Sequence, residues 1–511
     1  MVLSPAAASG VDGRVVVAAQ VRPRLLHLRA LGTAGSVVLA VGGFLAGVVP
    51  LGAVAVDVPL VGALRAMPLL SVAVVYAGLT MLLLAWWRIG VAVRAPGGVG
   101  GRELAKTAAW WAAPFALITP IFSGDVYSYL AQGAMTVAGL DPYRLGPAAL
   151  GGPLAVNVPD IWQHTPAPYG PVFLELAGGV THLTDRHVWA GVIGMRALAV
   201  VGILMLVWSV PRLARAYGVR PASAIWLGVL NPLVLLHLVG DAHNEAVMLG
   251  LMCVGMVLAI ERRPVWGIVA ITLAALVKAP AGVALAFLVP IWAGQLGGTR
   301  TMWRAARDTA LVAAVTALAV GVLSGAGFGW LGALDTPTHA RTWLSLSTDL
   351  GWAVGSLLHL GGIVGVDAVR HAFWMLGLAV AVGVGALLWW RRERYGAVAA
   401  LGLCLGVFVI AGPVVHPWYL LWAVVPLAAA AREPALRRTV AYVSAALVML
   451  VLPGGVRPGV PVFAGAVLGA GAVLLVARAV SRRPGQHGLP PADDLGLVTV
   501  PRDAGAALPT D

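Results

Sequence analysis

Apolar runs of about twenty residues recur from residue 32 to residue 480 of this chain. Each is long enough to cross roughly 30 Å of hydrocarbon as an α-helix. A chain built this way has few options, because a backbone in lipid must satisfy its own N–H and C=O groups. Helices do so within one segment. Barrel strands would alternate in character and run only about ten residues, which this pattern excludes. The expected fold class is therefore an all-α polytopic membrane protein. Composition agrees: 60% of the residues are hydrophobic and 11% charged, against about a quarter charged in soluble domains.

The net charge of +13 raises the question of a nucleic-acid partner. The basic residues lie in short clusters between apolar runs, where the positive-inside rule puts them. No basic face with interleaved aromatics is present, so nucleic acid is excluded as a partner. Cys253 and Cys404 both fall inside apolar runs and read as small core hydrophobes, with neither a disulfide nor a metal role.

The same clusters orient the chain. Residues 1–31, with Arg14, Arg22, Arg24 and Arg29, form a cytoplasmic N-terminal segment, and the first apolar run is a retained span. A multi-span domain covers 32–480. Spans near 32–56, 67–87 and 107–122 bring Asp125 out on the far face. A large outer loop, 123–187, follows. Residues 171–184 and 351–365 are read as non-spanning, since crossing would strand Arg212, Arg215 and Arg220, or Arg391, Arg392 and Arg394, outside. Further spans include 221–240 and 242–260 around the turn GDAHNE, giving about thirteen to fourteen in all. The Pro/Gly/Asp-rich residues 481–511 read as a disordered cytoplasmic tail.

This threading gathers the unusual polar residues on one side. Asp125, Tyr127, Tyr169, His243, Glu245, Lys278, Trp343 and His416 all fall outside. Ionisable residues at membrane depth are costly and tend to be functional. Tyr and Trp at an interface also serve simply as anchors, and Asp141 in GLDPY reads as a turn former before proline. Asp125 is harder to explain that way. A carboxylate at the edge of an apolar helix needs a partner or a task. Lys278, in LVKAP, ends an apolar run; a lysine there snorkels to the interface, and on the outer side it suits an anionic ligand such as a lipid phosphate. There is no Walker A, kinase or HExxH motif and no clear internal repeat, which argues against a polytopic lipid or sugar transporter. GDAHNE offers metal-ligand types, but its spacing is not a strong metal signature. No metal site is assigned and no cofactor is required, with a divalent cation left open.

Six blocks together resemble one family: SGDVYSYLAQG (123–133), GLDPY (139–143), TPAPYGP (165–171), NPLVLLHLVGDAHNEAVMLG (231–250), VKAPAG (277–282) and GPVVHPWYLLW (412–422). They resemble the polyprenol-phosphomannose-dependent α-1,6-mannosyltransferases of actinobacteria, MptB-like enzymes of the GT-C class. That family often has Asn at the position of Asp141 and Gly at that of Asp241, so neither is expected to be catalytic. The resemblance implies a GT-C-type helical bundle with short helices in its first large outer loop. It also implies mannosyl transfer from polyprenyl-phosphate-mannose to a growing lipid-anchored α-1,6-mannan of the lipomannan type. The site would face outward from the plasma membrane. Transfer from a β-linked donor to an α-linked product inverts the anomeric centre, so one carboxylate suffices as base. Asp125 takes that role on the match of its Gly-Asp position. Lys278 is the first candidate for the donor phosphate, with His243 and His416 behind it. Tyr127, Tyr169, Trp343 and Glu245 are candidates for acceptor or sugar contacts. The nearest alternative is a GT-C transferase using another lipid-linked sugar or acceptor.

Overall fold

Helices carry the chain, as lipid requires of a backbone. A computed structural model describes residues 9–51, 58–95, 98–339, 342–362 and 364–481; nearly all of the expected tail, 481–511, and the start of the N-terminal segment lie outside the described residues. No strand occurs among the described residues. The principal helices are α1 (Ser9–Ala46), α2 (Pro68–Arg94), α3 (Gly101–Ala112), α4 (Asp125–Val137), α5 (Pro171–Leu183), α6 (Val188–Ala216), α7 (Pro221–Gly228), α8 (Glu245–Ile260), α9 (Pro264–Ala275), α10 (Val283–Ala293), α11 (Thr301–Leu323), α12 (Leu346–Leu360), α13 (Val366–Trp390), α14 (Ala397–Ala411), α15 (Leu421–Ala430), α16 (Pro434–Leu450) and α17 (Val460–Ser481).

Six of these are long and apolar enough to cross a membrane: α1 from Arg24 onward, α2, α6, α11, α13 and α17. A seventh arises if the segment Val234–Gly240 and α8, bent by 112° at their junction, count as one broken span. Four shorter apolar segments of 10–17 residues accompany them: Pro264–Ala275, Ala279–Ala293, Ala397–Ala411 and Pro417–Ala430. Helices α5 and α12, read as non-spanning, have 13 and 15 residues. At about 1.5 Å per residue neither reaches the roughly 30 Å of a hydrocarbon core. The first large loop contains α4, the short helix Gly152–Val156 and α5, in keeping with the expected short helices.

Two expected continuous spans are interrupted. The run 107–122 ends its α-helix at Ala112 and continues as a 3-10 turn over Ala113–Leu117, where Pro114 supplies no N–H. The run 221–240 leaves the helix at Gly228 and resumes as a π-helical stretch, Val234–Gly240. Asn231 holds this break: its Nδ2 donates to the Leu227 carbonyl and to Ser444 Oγ, each at 3.0 Å, and its Oδ1 accepts from Leu233 N.

Helix α2 is central, packed by α1 on one side and α17 on another. Trp86 on α2 and Trp226 on α7 stack at 4.8 Å, and each indole N–H donates to the other's backbone carbonyl. Helices α6 and α8 meet where Gly202 faces the Ala246 backbone; a side chain there would collide, as is usual where membrane helices approach closely. Cys253 and Cys404 are buried and unbridged.

Candidate active site

The site is built on segments that are not regular transmembrane helix. Residues 118–124 carry the chain, without regular secondary structure, from the broken end of α3 to α4. Asp241, in the GDAHNE turn, fastens them: its Oδ1 accepts the N–H of Ile121 at 2.8 Å and of Phe122 at 3.1 Å. The turn is itself held by buried Arg196 of α6, which donates twice to the Gly240 carbonyl and once to that of Ala116. Ala242 takes a left-handed backbone, φ 55°, a conformation that a residue with a Cβ adopts at a cost. These contacts fix where α4 begins, and α4 begins at Asp125.

Asp125 occupies the first turn of α4, where the helix dipole favours a negative charge. Its backbone N–H donates to Ser123 Oγ at 3.2 Å. Its side chain keeps 21% of its surface and faces a cavity of about 400 Å³. Burial pushes the carboxyl up to about 6, against the opposing pull of the Lys278 charge.

Lys278 lines the same cavity. It follows α9 in extended conformation, φ −152°, and its ammonium pairs with Glu245 Oε1 in the first turn of α8. Three aromatic faces surround it: Tyr419 at 4.6 Å, Trp422 at 5.6 Å and Tyr169 at 5.7 Å, all within cation–π range. The cage and Glu245 together let a cation persist at a buried position.

Behind Asp125, His243 is fully buried with its Nδ1 3.1 Å from the Tyr129 hydroxyl and 3.7 Å from Asp125 Oδ2. Its ring stacks on Trp418 at 4.1 Å, and Trp418 stacks on His416 at 4.4 Å. His416 lines the cavity; burial and the Lys278 charge hold it down to about 3, so it is a neutral donor or acceptor. The loop that carries it is anchored by α12, where Ser345 and Ser347 donate to the Gly412 carbonyl at 3.0 and 2.8 Å.

The sequence-derived residues thus separate. Asp125, Lys278, Tyr169 and His416 line one cavity. His243 and Glu245 lie behind it, fully buried, supporting Asp125 and Lys278. Tyr127 and Trp343 are not among its lining residues: the Tyr127 hydroxyl donates to the Val48 carbonyl at 2.8 Å, and Trp343 is 65% exposed. The Tyr127 hydroxyl is thus spent on the backbone. Asp141 is a turn residue, with Oδ1 accepting from Tyr143 N at 2.9 Å. Tyr419 and Trp422 were not singled out as ligands of Lys278; their three-residue spacing at one helical face was the available signal. His237, Asp241 and His243 each offer a donor atom within 4.8 Å of the others and could hold a divalent cation. Asp241 is already engaged, with Oδ1 on two backbone N–H groups and Oδ2 3.2 Å from His237 Nδ1.

An apolar portion of the lining, including Val283, Phe408 and Val409 from α10 and α14, accompanies the polar groups. The arrangement suits a ligand that is greasy at one part and anionic or hydroxylated at another: a carboxylate, an aromatic-caged cation and an apolar wall share one space.

A family model described as alpha-(1->6)-mannopyranosyltransferase, N-terminal domain, matches residues 29–294, and one described as MptB C-terminal domain matches 346–481. A probable alpha-(1->6)-mannopyranosyltransferase of Mycolicibacterium smegmatis is 36% identical over 458 residues, covering 80% of each chain. Alpha-(1->6)-mannopyranosyltransferase B of Corynebacterium glutamicum is 33% identical over 94% of this chain and 87% of its own. One from Mycobacterium tuberculosis is 34% identical over 83% of this chain and 82% of its own. No solved structure matches. The chain, matched along most of its length by models and relatives alike, belongs to the alpha-(1->6)-mannopyranosyltransferase family.

Proposed function

We propose that this protein transfers mannose from polyprenyl-phosphate-mannose to the 6-hydroxyl of a lipid-anchored α-1,6-mannan, on the outer face of the plasma membrane, with inversion. One observation carries the reading: Asp125 and the aromatic-caged Lys278 share a cavity that also has an apolar wall. The polyprenyl chain lies against that wall, and its phosphate meets Lys278. The acceptor O6 attacks the anomeric carbon as the bond from that carbon to the phosphate oxygen breaks. Asp125 takes the O6 proton, and polyprenyl phosphate leaves with the bonding pair. A positioned base of this kind contributes about a hundred- to ten-thousandfold, and a fixed cation at the leaving oxygen stabilises the charge that develops there. His243 and Tyr129, hydrogen-bonded to each other beside Asp125, orient the carboxylate. Glu245 positions Lys278.

The test is transfer by the purified full-length protein from a labelled polyprenyl-phosphate-mannose donor to a synthetic α-1,6-mannoside, with the new linkage read by NMR. An α-1,6 product is expected. Transfer of a different sugar, or of mannose to a different position, would replace the reading with that of another lipid-linked transferase.

A further inference from the structure

Two polar side chains on α4 have no assigned task. Ser128 and Gln132 follow Asp125 at i+3 and i+7, so all three lie on one face of the helix. All three line the cavity. Ser128 and Gln132 are each 3% exposed, yet among the described residues Ser128 Oγ and Gln132 Oε1 meet no hydrogen-bond partner. Buried polar atoms are almost always paired, and every other residue of α4 from Val126 to Met135 is buried as well. One face of α4 thus brings three hydrogen-bonding side chains to the lining of one cavity, two of them with a polar atom left unanswered, while the Tyr127, Tyr129 and Thr136 hydroxyls of the same helix are paired.

Two helical turns advance about 10.5 Å along the axis, a length on the order of one to two linked pyranose rings. The stripe begins at the carboxylate that receives the acceptor proton, so the ring whose hydroxyl meets Asp125 is the ring the rest of the stripe reaches. We propose that Ser128 and Gln132 form a pyranose-hydroxyl subsite that binds the acceptor sugar; this rests on the mannosyl transfer proposed above. A ring hydroxyl donates to Gln132 Oε1, and Ser128 Oγ exchanges a hydrogen bond with a second hydroxyl. Lys278, Tyr419 and Trp422 hold the donor side, so the two substrates are recognised by different groups.

The experiment uses full-length protein with Ser128→Ala or Gln132→Met, variants that remove the hydrogen bond and keep the volume close. Initial rates are measured against synthetic α-1,6-dimannoside and, separately, against donor. Binding of the dimannoside is measured by calorimetry without donor. A rise of about five- to tenfold in acceptor KM, the size expected for one lost neutral hydrogen bond, with donor KM within about twofold, supports the subsite. Dimannoside affinity should fall by a similar factor. Unchanged acceptor KM and affinity in both variants would overturn it, and so would a rise confined to donor KM. Wild-type protein that transfers no mannose would count against the proposed function, while the calorimetric difference between wild type and variants still decides the subsite. If Gln132→Met fails to fold, as judged by a melting curve, Ser128→Ala carries the comparison.

Discussion

Asp125 and Lys278 form the chemical pair of the proposed site, and each has a consequence that can be measured. A base must be ionised to accept a proton. Burial raises the Asp125 carboxyl to about 6, so below that value it is increasingly protonated and idle. We expect kcat/KM for transfer to be flat above pH about 7 and to fall about tenfold per unit below pH about 6. Asp125→Asn should lose about a hundred- to ten-thousandfold in rate at an unchanged melting temperature; near-wild-type activity would remove the residue from the mechanism. Lys278 carries two jobs that a double substitution separates. Lys278→Met alone leaves Glu245 charged and buried, with an expected loss of about 3–5 kcal/mol in stability along with weaker donor use. Adding Glu245→Gln should restore the melting temperature while donor KM stays high. Recovery of donor use in the double variant would show that the lysine charge is dispensable. At this scale the sequence was informative wherever a charged residue interrupted apolar surroundings, as with Asp125 and Lys278. It was uninformative about Tyr127 and Trp343, because an aromatic residue reads the same whether it faces a sugar, a backbone carbonyl or a bilayer.

At the scale of elements, the site depends on helices that stop. Asp125 and Glu245 sit in the first turns of α4 and α8, Lys278 lies just past the end of α9 and His416 in the loop 412–416, so the groups come from where helices start and stop. Hydropathy ran 107–122 and 221–240 as unbroken spans because their apolar content continues through the breaks. The information lay in Pro114 and in Asn231-Pro232, residues that disrupt helical hydrogen bonding without altering hydropathy. Asp241 is the hinge of this region, tying the turn to Ile121 and Phe122. Asp241→Ala orphans two buried N–H groups and frees the segment leading into α4. We expect about 2–4 kcal/mol lost in stability and a fall in kcat exceeding any change in KM, since Asp125 would be displaced. Asp241→Asn, which keeps one acceptor oxygen, should lie between the two; melting curves and steady-state rates distinguish them.

For the whole molecule, the class was legible from the repeated apolar runs, since nothing but a helical bundle satisfies such a backbone in lipid. The packing order was not, because apolar faces toward lipid and toward neighbouring helices have the same composition. Helices α11, α13 and α17 bury 11%, 11% and 17% of their most apolar windows, against 56% for α2, so the former leave most of their apolar surface uncovered by the rest of the chain. Leu318 on α11 is 54% exposed. Leu318→Arg should cost about 2.5–3.5 kcal/mol of insertion, seen as a reduced membrane-integrated fraction in a translocon assay, whereas Leu318→Ile should leave that fraction unchanged.

The pairing of Lys278 with Glu245 has a further consequence for turnover. In the proposed reaction the cation already has a counter-ion before substrate arrives, so the incoming phosphate diester must share it. The phosphate monoester released after transfer carries more charge than the diester that entered, and an unaccompanied lysine would hold that product longer than the substrate. A resident carboxylate at the same ammonium competes with both and blunts the difference. In the proposed reaction Glu245 would thus shorten the residence of the spent lipid carrier, trading tight capture of the donor for prompt release of what remains of it.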